Sequence, residues 1–288
     1  MEIQVQEQSS STAPIPGGIT LAVSLDLDDM EQLVSQAKRA LAIERAVPEG
    51  ARTPLGNAGN DTYIAGFVET RATNDALETY GIVPVARPII ERRGLADGSP
   101  YSCYIHVHPR PHIGLTSLDP INLKTSRIPK PGFSARAARE EGADVEYLDD
   151  ERSLRMNMVK RLDGELAEPA MKALQHEYTR AFERQLAKRD IDPETYRLAH
   201  GLNEEQYALM MARNALADAH WNYVLDAVFE GMGDSVSDEE LLLYFEEQFP
   251  GFSNQLLELH ELRNDLWIYL EKVRRAKALE WLLDNAIK

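Results

Sequence analysis

Residues 178–241 decide the fold class, and they read YTRAFERQLAKRDIDPETYRLAHGLNEEQYALMMARNALADAHWNYVLDAVFEGMGDSVSDEEL. Asn203 followed by Gln206, and Ser237 followed by Glu240, have the spacing of capping boxes, which mark the start of α-helices. After each of these starts the apolar residues recur on one side of a helix. The stretch therefore predicts helices joined by short turns.

The helical pattern continues on both sides of this stretch. Pro169 is placed to open the preceding helix, because proline is tolerated in the first turn of a helix and breaks an interior turn. A last helix is predicted from about Ser253 onward, where apolar residues fall mostly three and four apart. Strand signals are almost absent here, so residues 152–288 are predicted to form an all-α domain.

Residues 18–128 mix strand and helix signals. Period-two alternation and turn residues predict strands, and three-to-four spacing predicts helices. The predicted strands are 19–27, 82–93, 101–109 and 120–129, and the predicted helices are 27–45 and 62–81. Residues 1–17 predict a flexible tail and residues 129–151 a linker that begins with proline and continues with charge. The chain is thus predicted to be α+β, a small sheet-plus-helices domain followed by the helical domain.

Composition narrows the possible functions. The chain has 288 residues and a formal net charge of -16, which disfavours binding to the phosphate backbone of a nucleic acid. It has one cysteine, so no internal disulfide can form. Neither a secretory signal nor an apolar run of about 18 residues is seen, so we expect a cytoplasmic protein without a membrane partner.

Three histidines lie in YIHVHPRPHIG, residues 104–114, and raise the question of a metal site. His106 and His108 share one face of a predicted strand and could bind zinc together with His112. No nearby pattern supplies an orienting second shell, so the histidines are interpreted as polar residues on the wet face of a half-exposed sheet. Cys103 falls in the apolar alternation and is predicted to be a core residue. We expect no catalytic residue, metal or cofactor.

The C-terminal half carries more apolar residues than are needed to form one buried stripe along each helix. Large flexible apolar side chains suit the binding of many unlike apolar partners, although residues that fill helix–helix interfaces give the same pattern. The candidate polypeptide-binding residues are Met156, Met158, Met210, Met211, Trp221, Phe229, Leu256, Trp267, Ile268, Trp281 and Leu282.

Two regions resemble the trigger factor family, the bacterial chaperones of nascent chains. The first is ALETYGIVPVARPIIERRGLADGSPYSCYIHVHPRPHIGLTSLDPINLKTSRIP, residues 76–129, which is similar to the family's ribosome-binding domain. The second is residues 178–241, which resemble the family's helical C-terminal domain in the order of their elements and in the closing VSDEEL. The resemblance covers about residues 18–128 and 152–288 and implies a C-terminal domain with helical arms.

The chain departs from the family in two places. Only residues 129–151 stand where the family usually carries a prolyl isomerase domain of the FKBP type, and this is too short to enclose a core. The family's ribosome-contacting loop corresponds to a degenerate loop here, in which the Phe-Arg pair is replaced by Pro48 and Glu49. The equivalent residues are Val47, Pro48, Glu49, Gly50, Arg52 and Pro54.

The resemblance implies an ATP-independent chaperone that holds unfolded or nascent polypeptides in an apolar cradle. It implies no isomerase activity and weak or absent ribosome docking, and family members also form homodimers. One alternative is a binding module of the same fold for a single secreted or assembly client. Another alternative is a metal-dependent enzyme that uses His106, His108 and His112.

Overall fold

The structure is a computed structural model that describes residues 1–6, 18–53, 55–93, 101–123 and 149–287. The chain divides into two compact units, and each combines segments from both of the sequence ranges that were expected to be domains. The first unit contains residues 1–111, 166–215 and 236–270, and the second contains residues 112–165, 216–235 and 271–288.

The described secondary structure follows the expected α+β class. The strands are β1 (Glu2–Gln6), β2 (Ile19–Ser24), β3 (Ile89–Arg93), β4 (Ser102–Val107), β5 (Gly114–Leu115) and β6 (Leu162–Asp163). The helices are α1 (Leu27–Ala46), α2 (Asn60–Thr79), α3 (Asp150–Val159), α4 (Glu168–Ala187), α5 (Pro193–Ala199), α6 (Glu204–Met232), α7 (Asp238–Gln248), α8 (Ser253–Arg263) and α9 (Leu266–Asn285).

An antiparallel sheet of order β1-β2-β4-β3 lies in the first unit. Leu21 pairs with Ile105 across β2 and β4, and both side chains are fully buried. The alternating apolar residues of these strands pack against apolar residues of α1 and α2, including Leu33 and Leu77. β1 corrects the expected tail, because Glu2–Gln6 pair with β2.

Local signals set the ends of α1. The side chain of Asp26 accepts from the backbone N–H of Asp29, and the Asp29 side chain accepts from the N–H of Asp26, which is a capping box. α1 ends at Ala46, and a short 3₁₀ turn follows at Glu49–Ala51. The loop then leads into α2.

Three predicted elements differ from the structure. The last helix is interrupted at Asn264, which has a left-handed backbone with φ of 52° between α8 and α9. The helix after the linker, which the apolar spacing predicts over residues 151–166, ends at Val159. In the strand predicted at 120–129, Asn122 forms an isolated bridge with Ile287, and residues 124–129 lie outside the described part of the chain.

The second unit is held by small elements and ion pairs. β5 pairs with β6, antiparallel, directly after α3. The guanidinium of Arg275 binds the carboxylate of Asp226 through two hydrogen bonds of 2.7 and 2.8 Å. This bidentate pair connects α9 to the second half of α6.

Candidate functional site

A groove of about 440 Å³ opens in the first unit. One wall comes from Leu77 of α2, another from the segment 84–90 that leads into β3, and a third from Trp267 and Ile268 at the start of α9. Volumes of about 300–1,000 Å³ are typical of pockets that enclose ligands. The groove is therefore large enough to enclose part of a ligand.

The segment 84–88 is held against the end of β4. The backbone N–H of Val85 donates to the His108 carbonyl oxygen at 2.9 Å, and the Arg110 N–H donates to the Val83 carbonyl oxygen at 2.7 Å. Pro84 and Pro88 of the same segment lack an N–H and so cannot extend this ladder. The wall therefore stays an irregular apolar segment beside the sheet.

The wall formed by α9 is positioned by the end of α8. Arg71 Nη1 donates to the carbonyl oxygens of Glu261 and Leu262 at 3.0 and 2.8 Å. Asn74 donates to the Arg263 carbonyl oxygen at 2.9 Å. The last carbonyls of a helix lack partners within the helix, so α2 supplies the cap. This contact fixes where α9 begins.

Charged side chains lie buried at the floor of the groove. Arg263 Nη1 is 4.0 Å from Glu44 Oε2, and Arg263 Nε is 3.6 Å from Asp265 Oδ2. Nε and Nη1 of Arg263 have no hydrogen-bond partner among the described residues, although both lie inside the protein. Asp265 also contacts His260 Nδ1 at 2.7 Å. Burial, with Glu44 next to it, raises the pKa of the Tyr63 hydroxyl behind this cluster.

The structure brings two of the candidate polypeptide-binding residues together in the groove, Trp267 and Ile268, and Ile268 is 38% exposed. Met156 is exposed in the second unit, while Met210 and Trp281 are half-buried. The remaining candidates are buried and offer no surface in this structure: Met158, Met211, Trp221, Phe229, Leu256 and Leu282.

Exposed leucines elsewhere in the helical half escaped the sequence reasoning. They are Leu198 in α5, Leu209 in α6 and Leu243 in α7, with 69%, 49% and 57% of their surface exposed. The sequence did carry one signal for the exposure of Leu209, because Leu209 lies off the apolar stripe that contains Tyr207. Leu198 lies in a short helix with no buried residue. Single exposed leucines are common on protein surfaces, so the groove remains the stronger candidate.

The comparison with family models identifies the helical half. The model of the bacterial trigger factor protein C-terminus matches residues 145–284. This match assigns residues 145–284, 140 of the 288 residues, to the C-terminal domain of the trigger factor family. The trigger factor match includes α3 to α8 and nearly all of α9, and therefore the groove wall of Trp267 and Ile268.

One solved structure resembles the chain over 99% of both lengths, with 14% identity and a TM-score of 0.39. It is described as "Promiscuous Substrate Recognition in Folding and Assembly Activities of the Trigger Factor Chaperone". No curated protein sequence gives a significant match. Among the described residues, no helix is long and apolar enough to span a membrane.

The loop at residues 47–53, which the resemblance predicts to be a degenerate ribosome-contacting loop, folds onto α1. Arg52 donates to the carbonyl oxygens of Val47 and Arg45, both at 3.2 Å. Glu44 Oε1 accepts from the Thr53 backbone N–H at 2.5 Å. Val47 is buried, and three other loop residues are exposed: Pro48, Glu49 and Gly50. Pro54 lies outside the described residues.

The histidines of residues 104–114 are not grouped as metal ligands. His106 is only 2% exposed, which corrects its expected place on a wet face of the sheet. Its Nδ1 lies 2.9 Å from Thr20 Oγ1 and its Nε2 lies 3.2 Å from Glu91 Oε2, so both ring nitrogens are occupied. His112 is exposed and belongs to the second unit. The described residues contain no cluster of three or more His, Cys, Asp or Glu placed to hold a metal.

Cys103 lies in the core of the sheet. Its side chain is 2% exposed, and burial raises the pKa of its thiol. A buried thiol with a raised pKa is a poor nucleophile because the thiolate is the reactive form. This placement agrees with the prediction of a core residue.

Proposed function

We propose that this protein is an ATP-independent chaperone that holds unfolded or nascent polypeptides in an apolar cradle, and that the groove lined by Trp267 and Ile268 is its binding surface. The single observation that carries the proposal is the groove wall of Trp267 and Ile268, which lies within the family-matched residues 145–284. An extended client segment would insert an apolar side chain between this wall and the segment 84–90.

Burial of apolar surface supplies the affinity. Each square ångström removed from water contributes about 25 cal/mol, so one inserted leucine or phenylalanine contributes roughly 1.5–3 kcal/mol. Contacts of this size give weak binding and fast exchange. The sequence carries no nucleotide-binding motif, and release would follow when the client buries its own apolar surface.

The proposal excludes prolyl isomerase activity. An isomerase domain needs a twisted sheet around an aromatic pocket, and residues 129–151 are too few to form a core of that kind. A proline-limited refolding reaction should therefore run at its uncatalysed rate in the presence of the protein. A robust acceleration at substoichiometric protein would refute this part of the proposal.

The proposal also includes weak or absent ribosome docking. Arg52 supports weak docking because its guanidinium donates to carbonyl oxygens of α1 and the following loop. Glu49 is exposed in the same loop and adds negative charge where the ribosome presents phosphates. Co-sedimentation with ribosomes should be lost near physiological salt. Binding that persists at that salt concentration would overturn this part.

Aggregation of an unfolded reporter protein tests the holding activity. The wild-type chain should suppress light scattering by several unrelated reporters, and Ile268→Ser should weaken the suppression because the groove loses an apolar contact. Leu243→Ser is the matched control, since Leu243 is exposed in the same matched domain but does not line the groove. Equal losses in both variants would count against the groove.

A client range test separates the general chaperone from a single-partner module. Suppression of several unrelated reporters supports the proposal. Activity on none of them, together with one tight stoichiometric partner, would support the dedicated module instead.

A further inference from the structure

The strand β3 forms one edge of the four-stranded sheet and lies beside the groove. The strand order is β1-β2-β4-β3, so β3 is paired with β4 on one side. Among the described residues, the backbone of Ile89–Arg93 makes no hydrogen bond outside this pairing. Alternate residues of an antiparallel strand direct their N–H and C=O groups to opposite sides, so the free side of β3 presents unpaired donors and acceptors.

The two faces of β3 have different surroundings. Ile90 packs against the core of the sheet and lines the groove, and the guanidinium of Arg92 binds the carboxylate of Glu69 on α2. Ile89 and Glu91 alternate with these residues and lie on the other face, where Ile89 is 56% exposed. A strand added along the free side of β3 would therefore direct every second side chain to the face that carries the groove.

The groove is built to receive those side chains. Thr70 and Thr73 of α2 line it beside Ile90, and Trp267 and Ile268 add apolar surface. One extended segment can thus bond to β3 through its main chain and fill the groove with its side chains. Recognition by strand addition has these two components, because main-chain bonds supply affinity and pockets for alternate side chains supply specificity.

We propose that clients bind by adding an extended segment to the free edge of β3, with apolar side chains at positions i and i+2 directed into the groove. The inference rests on the proposed function and specifies the conformation and the residue pattern of the bound segment. The main-chain bonds do not depend on the identity of the client side chains. Segments of unrelated sequence therefore bind as long as their apolar residues alternate.

Charge favours a client segment over a second copy of this chain on the edge. Glu91 is the middle residue of β3 and is exposed. Two β3 strands paired antiparallel about their centres would place two Glu91 carboxylates directly opposite each other, which is unfavourable. The formal net charge of -16 adds repulsion between copies. A client lysine opposite Glu91 meets a charge of the opposite sign instead.

The other edge strand, β1, provides an internal control. The Tyr80 hydroxyl already donates to the Ile3 carbonyl oxygen of β1 at 3.0 Å. No residue of Glu2–Gln6 lines the groove. A segment added to β1 would therefore gain no groove contact, and we expect clients to leave this edge unchanged.

Short fluorescent peptides separate main-chain recognition from side-chain recognition. In the parent peptide leucine alternates with threonine and lysine. A second peptide carries methyl groups on the backbone nitrogens of the same sequence, so it keeps every side chain but loses its N–H donors. A third has the same composition with its leucines adjacent. The wild-type protein should bind the parent peptide at least about tenfold more tightly than either of the others, because they lose hydrogen bonds or a groove contact.

Hydrogen–deuterium exchange measured by mass spectrometry locates the bound peptide. The parent peptide should slow amide exchange in Ile89–Arg93 and leave Glu2–Gln6 unchanged. The inference is overturned if the N-methylated peptide binds as tightly as the parent peptide, or if exchange in β3 does not slow more than exchange in β1. A dimer of the chain that the parent peptide dissociates in sedimentation velocity would assign the edge to a second copy and would also overturn it.

The reporter assay separates this inference from the proposed function. Protein that suppresses aggregation but binds the parent and N-methylated peptides equally, with Ile268→Ser weakening both, refutes strand addition alone. Protein that neither suppresses aggregation nor binds any peptide refutes both. Suppression together with selective binding of the parent peptide and slowed exchange in β3 supports both.

Discussion

The side-chain amide of Asn74 donates to the backbone carbonyl oxygen of Arg263 at 2.9 Å, across 189 positions of sequence. Asn74 lies on α2 and Arg263 is the last residue of α8. The bond is buried, so its loss cannot be compensated by water. Together with the bonds from Arg71 to the Glu261 and Leu262 carbonyl oxygens, it caps the end of α8 just before the groove residues Trp267 and Ile268.

Asn74→Ala should lower the free energy of unfolding by about 1–3 kcal/mol, because a buried carbonyl oxygen would lose its donor. Urea denaturation followed by circular dichroism measures the change. Asn254→Ala is the control, since Asn254 is exposed on α8. If both variants are equally stable, the Asn74 bond does not hold the helix end.

Asn264→Ala and Asn264→Gly separate backbone strain from side-chain contacts at the break between α8 and α9. Asn264 has a left-handed backbone and donates to Asp75 and Glu78, both at 2.7 Å. Both variants lose these bonds, but only alanine is strained at positive φ. Asn264→Ala should therefore be about 1 kcal/mol less stable than Asn264→Gly in thermal or urea unfolding. The reverse order would contradict the left-handed conformation.

Gly56→Ala tests the packing between the loop and Glu44. A Cβ at Gly56 would lie 2.9 Å from Glu44 Cγ, and the Glu44 carboxylate is held by the Thr53 N–H. The added methyl group has no room, so the variant should lose about 1–3 kcal/mol of stability. Gly114→Ala is the control because a Cβ there meets no atom within 4 Å. An equal effect at both positions would argue against a tight loop.

Stability should fall on acidification through the histidine range. Burial lowers the pKa of His108 and of His220 below the ordinary value of 6.5. Below pH 6.5 the two histidines therefore bind protons in the unfolded chain while they stay neutral in the folded chain. This difference lowers stability until the pH falls below the pKa of the histidines in the folded chain. Above pH 6.5 both states are neutral at these positions, so their contribution is constant.

The double variant with His108→Gln and His220→Gln should show a flatter fall in urea midpoint between about pH 7.5 and 5.5. His176→Gln, on the exposed surface of α4, controls for the loss of a histidine side chain. An unchanged profile in the double variant would show that other groups cause the acid dependence.

Local sequence patterns predicted helices and strands well where neighbouring residues set the start of the element or its buried face. The capping box of Ser237 and Glu240 begins α7, as its spacing predicts. The alternation around Cys103 gives β4 with that residue in the core. Both results depend on residues within a few positions of each other, which a sequence displays directly.

The break at Asn264 and the burial of His106 could not be predicted in this way. Asn264 lies within a run of apolar residues spaced three and four apart, which fits one long helix. The turn at Asn264 is stabilised by Asp75 and Glu78 of α2. His106 alternates as an outward residue of β4, but Thr20 and Glu91 of the neighbouring strands satisfy both ring nitrogens. Partners from distant segments overrode the local signal in each case.

The sequence by itself determined the α+β class, most helix and strand positions, and the resemblance of the helical half to trigger factor, because these follow from spacing along the chain. Only the tertiary structure decided which apolar residues face solvent. Met211 and Met210 are neighbours in sequence, yet one is 1% exposed and the other is half-buried. Exposure depends on which distant surface covers a side chain, and that is a property of packing between elements.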